Sequence, residues 1–600
     1  MAYRLLLAIC CLTLQCVSTI AQAPSNVHVT TNNGVVFGEK INFIREKDPI
    51  VNATFDRFKG IPFAEPPLGQ RRFRKPEPVS DWPDAWNATF YRKQCWQLLL
   101  ETFTGPQDED CLYLNIWSPD VNGAKKPVMV WIHGGGFVLG TANTGPYDGT
   151  VLTSLYDIVY VSINYRLNGF GFVSTGDEEL PGNYGLWDQV LALKWIKENI
   201  GAFGGDAGNI TIFGQSAGGA SCGHHLVHPG SWNYFDRAIM LSGNTMSPWG
   251  QETEINNARS DAFLLGRAAG CGLLSSSRDL ADCLRGIDAY RLTVAINAVL
   301  LQTTNNIPLG PVVDGDFFLS KSRSLLNMGQ FKRCNVILGS TADDGTIVTA
   351  RAYPSELLAD VPVSDYETFT EKLAQFTYTY SNDVIVRAIQ QQYVDWEERD
   401  DDSTNYFYDF VNVATDEAFL CPAEYMGRAY SKAGLSVYRA LFNHKPEQST
   451  WPDRLVKWRG VAHSEDNPFT FGRGFNPDRG HTFSSDEATL SLAMMEYYTN
   501  FAKTGNPNQN SDGDVVESEW EPFTLTEPYM KELKPKLGNL IGFRASYCAM
   551  HNNLIPDLIT NTGDIDKVQS LWQTEFNDWK DIDMPAWKMT NTRSTSCTHN

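Results

Sequence analysis

Beyond its first two dozen residues, this 600-residue sequence contains no stretch approaching eighteen consecutive apolar residues, so no later segment has the length and composition of a membrane-spanning helix. Positive charge is also short: 49 Lys and Arg stand against 70 Asp and Glu, a formal net charge of -21. That balance repels phosphate backbones and anionic bilayers, which excludes nucleic acid as an expected partner. Internal repeats are missing, and so is any Pro/Gly/Ser-rich linker long enough to separate independent domains. His224, His225 and His228 lie close together, yet no carboxylate or cysteine stands near them at ligand spacing. The cluster therefore reads as packing; no metal and no organic cofactor is expected.

With 42% hydrophobic and 12% aromatic residues the chain can bury a large core. Its start, Met1-Ala2-Tyr3-Arg4, leads into an apolar run over residues 5–17 and then small residues ending at Ala23. Residues 1–23 thus have the pattern of a secretory signal peptide, which predicts an extracellular protein without a transmembrane anchor. Pro24 is an awkward residue just after a cut at Ala23 and leaves the cleavage point open. Of the 12 cysteines, Cys10, Cys11 and Cys16 leave with that peptide, so an odd number enters an oxidising compartment and at least one thiol stays free or pairs between chains. Three sequons start at Asn52, Asn87 and Asn209; the last stands beside a predicted core strand, which works against glycosylation.

Short β-branched or apolar runs recur at 128–132, 158–163, 210–213, 239–242, 336–339 and 437–442, separated by helical stretches. Continuous apolar strands alternating with helices predict an α/β fold with a large, mostly parallel central sheet covered on both faces, as one domain over 24–563. The acidic run 397–402 reads as a solvated loop. Residues 564–600 form a Trp-rich tail, in which 564–587 read as a helix with Leu571, Trp572, Phe576 and Trp579 on one face until Pro585 interrupts it.

Gly214-Gln215-Ser216-Ala217-Gly218 follows the run 210–213 and precedes a small-residue helix start. Glycines at both ends permit the tight strand-to-helix turn that presents a serine hydroxyl, and the helix N-terminus favours negative charge developing there. In a chain with 48 glycines that pattern is weak alone. Upstream, however, the run 128–132 ends in His133-Gly134-Gly135-Gly136-Phe137. The backbone N–H groups of Gly135, Gly136 and Ala217 are the expected donors to an oxyanion. A nucleophilic serine of this kind takes an acid and then a histidine further along the chain. After 336–339 comes Asp343-Asp344-Gly345, and His444, His463, His481, His551 and His599 all follow it; spacing does not choose among them, and His444 and His463 stand nearly even.

Phe58-Lys-Gly-Ile-Pro-Phe-Ala64, Glu109-Asp-Cys-Leu-Tyr-Leu-Asn-Ile-Trp117 and Gly182-Asn-Tyr-Gly-Leu-Trp-Asp-Gln189 resemble the type-B carboxylesterase and cholinesterase family over about residues 27–555. The resemblance implies an α/β-hydrolase fold and a serine carboxylic ester hydrolase with Ser216 as nucleophile, Asp344 as acid and His463 as base. It also implies disulfides Cys95–Cys111, Cys271–Cys283 and Cys421–Cys548, leaving Cys222, Cys334 and Cys597 unassigned. Ser242 and Asp466 are implied to support the triad, and Gln215 stands where most relatives place Glu.

Within the family, residues 174–185, the Cys95–Cys111 spacing and an Asp as triad acid resemble the bile-salt-activated lipase branch, which implies lipid or other medium- and long-chain esters as substrates. Gln94 stands where that branch carries an Arg linked to bile-salt binding, which weighs against such activation. A choline site is weakly supported: Trp96 adjoins the first cysteine of its loop, Ile347 stands where an aromatic is expected, and Asn305 and Ile307 replace acyl-pocket aromatics near Pro311. The tail resembles the Trp-rich oligomerising segment of some cholinesterases, implying a homo-oligomer through that segment and Cys597. The same triad serves an acyltransferase if an alcohol or amine replaces water, and adhesion proteins resembling neuroligin keep the fold without the nucleophile; the intact Ser216 argues against the latter.

Overall fold

A computed structural model describes residues 26–97, 105–143, 145–251, 254–301, 308–376, 382–399, 401–451, 457–476, 480–561, 576, 579, 580 and 584. Among these residues the strands join into one 13-stranded sheet. In chain order they are β1 (Asn26–Thr31), β2 (Gly34–Arg45), β3 (Val51–Pro62), β4 (Trp86–Asn87), β5 (Tyr113–Ser118), β6 (Lys126–Ile132), β7 (Val159–Ile163), β8 (Gly205–Gln215), β9 (Arg237–Leu241), β10 (Val336–Thr341), β11 (Val437–Phe442), β12 (Tyr529–Leu533) and β13 (Gly538–Ile541). Across the sheet the order is β1-β2-β3-β5-β7-β6-β8-β9-β10-β11-β12-β13, with β4 beside β2. From β7 to β12 every neighbouring pair is parallel, whereas β1, β2, β3 and β5, and the β12-β13 hairpin, pair antiparallel.

The parallel strands read as unbroken apolar runs because both faces are covered. In β6, Val128, Val130 and Ile132 enter one core while Met129 and Trp131 enter the other. The first core is closed by the helices Tyr184–Asn199 and Ala217–Val227, through Leu186, Leu193, Ile196 and Leu226. The second is closed by Ser485–Thr504, through Leu490, Met494, Tyr498 and Phe501; a capping box between Ser484 and Glu487 starts that helix. Each such side chain contributes roughly 1.5–3 kcal/mol by leaving water. The flanking strands differ: β1 alternates exposed and buried residues, as expected where one sheet face meets solvent. Between β9 and β10, the helices Ile255–Ala268, Ser277–Gly286 and Ala289–Leu300 pack around a third apolar cluster that includes Phe170 and Val173.

Disulfides join Cys95 to Cys111, Cys271 to Cys283 and Cys421 to Cys548, and Cys222 and Cys334 are buried and unpaired. Burial pushes both thiols up, Cys334 to about 12, which keeps them protonated. Asn52 and Asn87 are exposed on β3 and β4. Asn209 lies in β8, where its amide donates to Lys503 O at 3.0 Å and accepts from Arg237. The expected signal peptide, Asn305, Ile307, Trp572 and Cys597 lie outside the described residues, as does most of the tail; Phe576 and Trp579 are described and exposed. No helix among the described residues is long and apolar enough to cross a membrane.

Candidate active site

Loops leaving the carboxyl ends of β6, β8, β10 and β11 carry the candidate residues, the edge at which parallel α/β sheets place their sites. Ser216 forms the turn between β8 and the helix Ala217–Val227, at φ 58° and ψ -127°, a strained conformation for a residue with a side chain. The elbow is held by backbone: Ser216 N–H donates to Leu241 O at 2.8 Å, and Ser216 O accepts from Ala220 N–H at 2.9 Å. Gly218 is required by close approach, since a Cβ there would stand 1.9 Å from Ile132 O.

The glycine loop 134–136 lies against this elbow. A Cβ on Gly134 would meet Ser216 Cβ at 3.0 Å, and Gly135 and Gly136 adopt positive φ of 114° and 60°. Ala217 opens the following helix, so its N–H is one of the donors a helix start leaves without an intrahelical partner. His133 is fully buried and stacks on Tyr165 at 4.4 Å, and burial lowers its pKa to about 4, so it stays neutral. Buried Gln97 ties the loop down: its amide accepts from Gly140 N–H at 2.7 Å and donates to Gly140 O at 2.8 Å.

His463 Nδ1 faces Asp344 Oδ1 at 2.8 Å, and both side chains are buried. The other carboxylate oxygen accepts from Ser242 Oγ at 2.8 Å and Thr341 N–H at 2.9 Å, so the Asp344 carboxylate has partners at both oxygens. Asp343 turns elsewhere: it accepts from Val461 N–H at 2.8 Å and its own N–H donates to Val461 O, tying the acid loop to the histidine loop. His444 is also occupied elsewhere, with Nε2 3.2 Å from Glu487, the residue that caps Ser485–Thr504.

Phe419 packs on the His463 ring at 4.9 Å between centroids, and Trp451 Nε1–H donates to His463 O at 2.9 Å. Phe419 belongs to a π-helical turn, Asp416–Leu420, whose Ala418 O accepts from Trp249 Nε1–H. Gln97, Thr341, Phe419 and Trp451 carry no motif, and nothing local in the sequence distinguishes them from ordinary core residues.

Of the expected supporting residues, Ser242 meets Asp344 directly, and Gln215 places its amide nitrogen 3.2 Å from His463 Nε2. Asp466 makes no hydrogen bond to the triad; its Oδ1 is buried without a partner, and burial, reinforced by Asp344, raises its pKa to about 7. Ile347 is partly exposed on Thr346–Ala352. His224, His225 and His228 bond to Thr245 and Gly250, to Ser231 and Gln189, and to Phe317 O respectively.

An imidazole fixed through Nδ1 to a carboxylate has an Nε2 lone pair able to accept a proton, and here Nε2 lies 3.2 Å from the side chain of the residue before a strained serine, which itself adjoins a glycine-rich N–H loop. A model of the carboxylesterase family matches residues 25–548. Acetylcholinesterase of Bungarus fasciatus is 35% identical over 587 residues, covering 96% of this chain and 93% of that protein. Acetylcholinesterase of Electrophorus electricus and cholinesterase of Mus musculus are each 33% identical, covering 95% of this chain and 94% of theirs. On the extent of these matches and the α/β-hydrolase sheet that carries them, the chain belongs to the carboxylesterase family of ester hydrolases.

Proposed function

We propose that this protein hydrolyses carboxylic esters outside the cell by two-step acyl transfer through Ser216. The observation that carries the reading is the 2.8 Å contact between His463 Nδ1 and Asp344, which fixes the tautomer a general base requires. His463 removes the Ser216 proton as Oγ attacks the acyl carbon, and Gly135, Gly136 and Ala217 N–H groups receive the negative oxygen. Collapse expels the alcohol, protonated by His463, and water resolves the acyl-enzyme along the same path. The three disulfides fit an oxidising compartment.

The substrates proposed are lipid or other medium- and long-chain esters. Support comes from the resemblance of residues 174–185 and the Cys95–Cys111 spacing to the bile-salt-activated lipase branch and from Ile347 where that comparison expects a choline-site aromatic. A second reading, a choline ester substrate, is favoured by the acetylcholinesterases and cholinesterase among the relatives. Hydrolysis of p-nitrophenyl esters from acetate to palmitate, with and without taurocholate, beside acetylthiocholine and butyrylthiocholine, separates them. The expected result is turnover extending to long chains that falls about 10⁴- to 10⁶-fold in Ser216→Ala. Thiocholine esters outpacing uncharged esters of equal acyl length would establish the second reading, and ester turnover undiminished in Ser216→Ala would overturn both.

A further inference from the structure

Both ring nitrogens of His463 are engaged in the resting chain. Nδ1 faces Asp344 at 2.8 Å, and Nε2 faces the Gln215 amide nitrogen at 3.2 Å. Among the described residues no hydrogen bond joins Ser216 Oγ to this ring. With a carboxylate accepting at Nδ1, the neutral ring carries its proton there and its lone pair at Nε2. An amide nitrogen only donates, so Gln215 occupies the lone pair that the serine hydroxyl needs. Gln215 is 2% exposed and ends β8, so its side chain is enclosed by the protein and not free in water.

We propose that Gln215 is a positioning residue that holds His463 in its neutral resting form and competes with Ser216 for Nε2, setting the rate at which the acyl-enzyme forms. The inference rests on the proposed role of Ser216. During attack the Oγ–H proton moves to Nε2 while Oγ bonds to the acyl carbon. The Gln215 N–H must first release the lone pair, and once Nε2 is protonated two N–H groups face each other unless the amide turns its oxygen inward. The contact therefore favours the ring before proton transfer and opposes it afterwards. Of the charged groups nearby, Asp344 bonds to the ring directly; its chain neighbour Asp343 feels Lys445, and Glu465 and Asp466 follow His463 in the chain, Glu465 paired with Arg459 at 3.5 Å. None of them bonds to Nε2, so the amide alone distinguishes that position.

A fluorophosphonate reads the same step without a natural substrate: Ser216 Oγ bonds to phosphorus, fluoride departs, and the proton goes to His463. Inactivation rates are measured from pH 5 to 9 for the wild type, Gln215→Met, Gln215→Glu and Ser216→Ala, with thermal melts to establish folding. Losing a donor that stabilises only the neutral ring raises the high-pH plateau of Gln215→Met roughly five-fold, the worth of one neutral hydrogen bond. It moves the acid limb up by about 0.7 pH unit, the same factor expressed as pH, while rates at low pH coincide with wild type. Gln215→Glu, which accepts from the protonated ring, moves the limb further in the same direction and decides the matter if the Met variant does not fold. A plateau at or below wild type with an unmoved acid limb overturns the inference. Wild-type protein that reacts no faster than Ser216→Ala overturns the catalytic reading itself, a distinct result.

Discussion

Around Ser216 the chain is held by glycines and backbone, whereas around His463 it is held by side chains drawn from separate segments. The elbow and its facing loop need atoms to be absent: Gly218 lets the turn pass Ile132 O, and Gly134 lets the glycine loop reach Ser216. The acid and base need atoms to be present, namely Ser242, Thr341 and Asp344 on one side and Phe419 and Trp451 on the other. The first construction is steric and fails when anything is added. The second is a hydrogen-bond and packing network that fails when a donor or acceptor is lost.

The sharpest test of the network side is to exchange its two adjacent carboxylates for amides. Asp344→Asn is expected to lower kcat about 10⁴-fold by leaving His463 in the wrong tautomer. Asp343→Asn, whose amide oxygen still accepts from Val461 N–H, is expected to keep kcat within about ten-fold, since it orders backbone and not the ring. Equal losses in the two variants would mean that the carboxylates act as one unit. On the steric side, Gly218→Ala is expected to cost at least about 1–3 kcal/mol of stability by thermal unfolding, because backbone must move. Gly201→Ala, which meets nothing within 4 Å, stays within about 0.5 kcal/mol and serves as the contrast.

Asp466 makes stability depend on pH, because its folded pKa of about 7 lies above its ordinary value of 3.8. The folded chain therefore binds more protons than the unfolded one between those values, and stability contributed by the neutral carboxyl is lost as pH rises from about 4 to about 7. Asp466→Asn is expected to equal wild type near pH 4 and to exceed it by up to about 4 kcal/mol near pH 8, read as the pH dependence of denaturant midpoints. A difference constant across that range would show that Asp466 titrates no differently in the folded and unfolded chains.

The central strands were legible because burial on both faces writes an unbroken apolar run; β6, β7, β8, β9, β10 and β11 all lie where such runs stand. The antiparallel strands β1, β2, β3 and β5 leave no such run, because β1 and β2 have a face toward solvent and alternate, and β5, though buried, mixes polar and apolar residues. His444 and His463 looked alike in composition, and resemblance to a family chose between them where periodicity did not. The physical distinction is that Glu487 takes His444 into a helix cap. Gln215 was visible as a neutral residue beside the nucleophile, but the direction of its amide was not.

Sequence by itself determined the strand-turn-helix at Ser216 and the glycine loop at 134–136, because each is specified within a dozen contiguous residues by what the backbone there can sterically do. Only the tertiary structure decided which carboxylate meets which imidazole, that Gln97 pins the glycine loop at Gly140, and that an amide occupies His463 Nε2. Those contacts join residues 119, 43 and 248 positions apart, and their identity follows from the way the loops above the sheet fold onto one another.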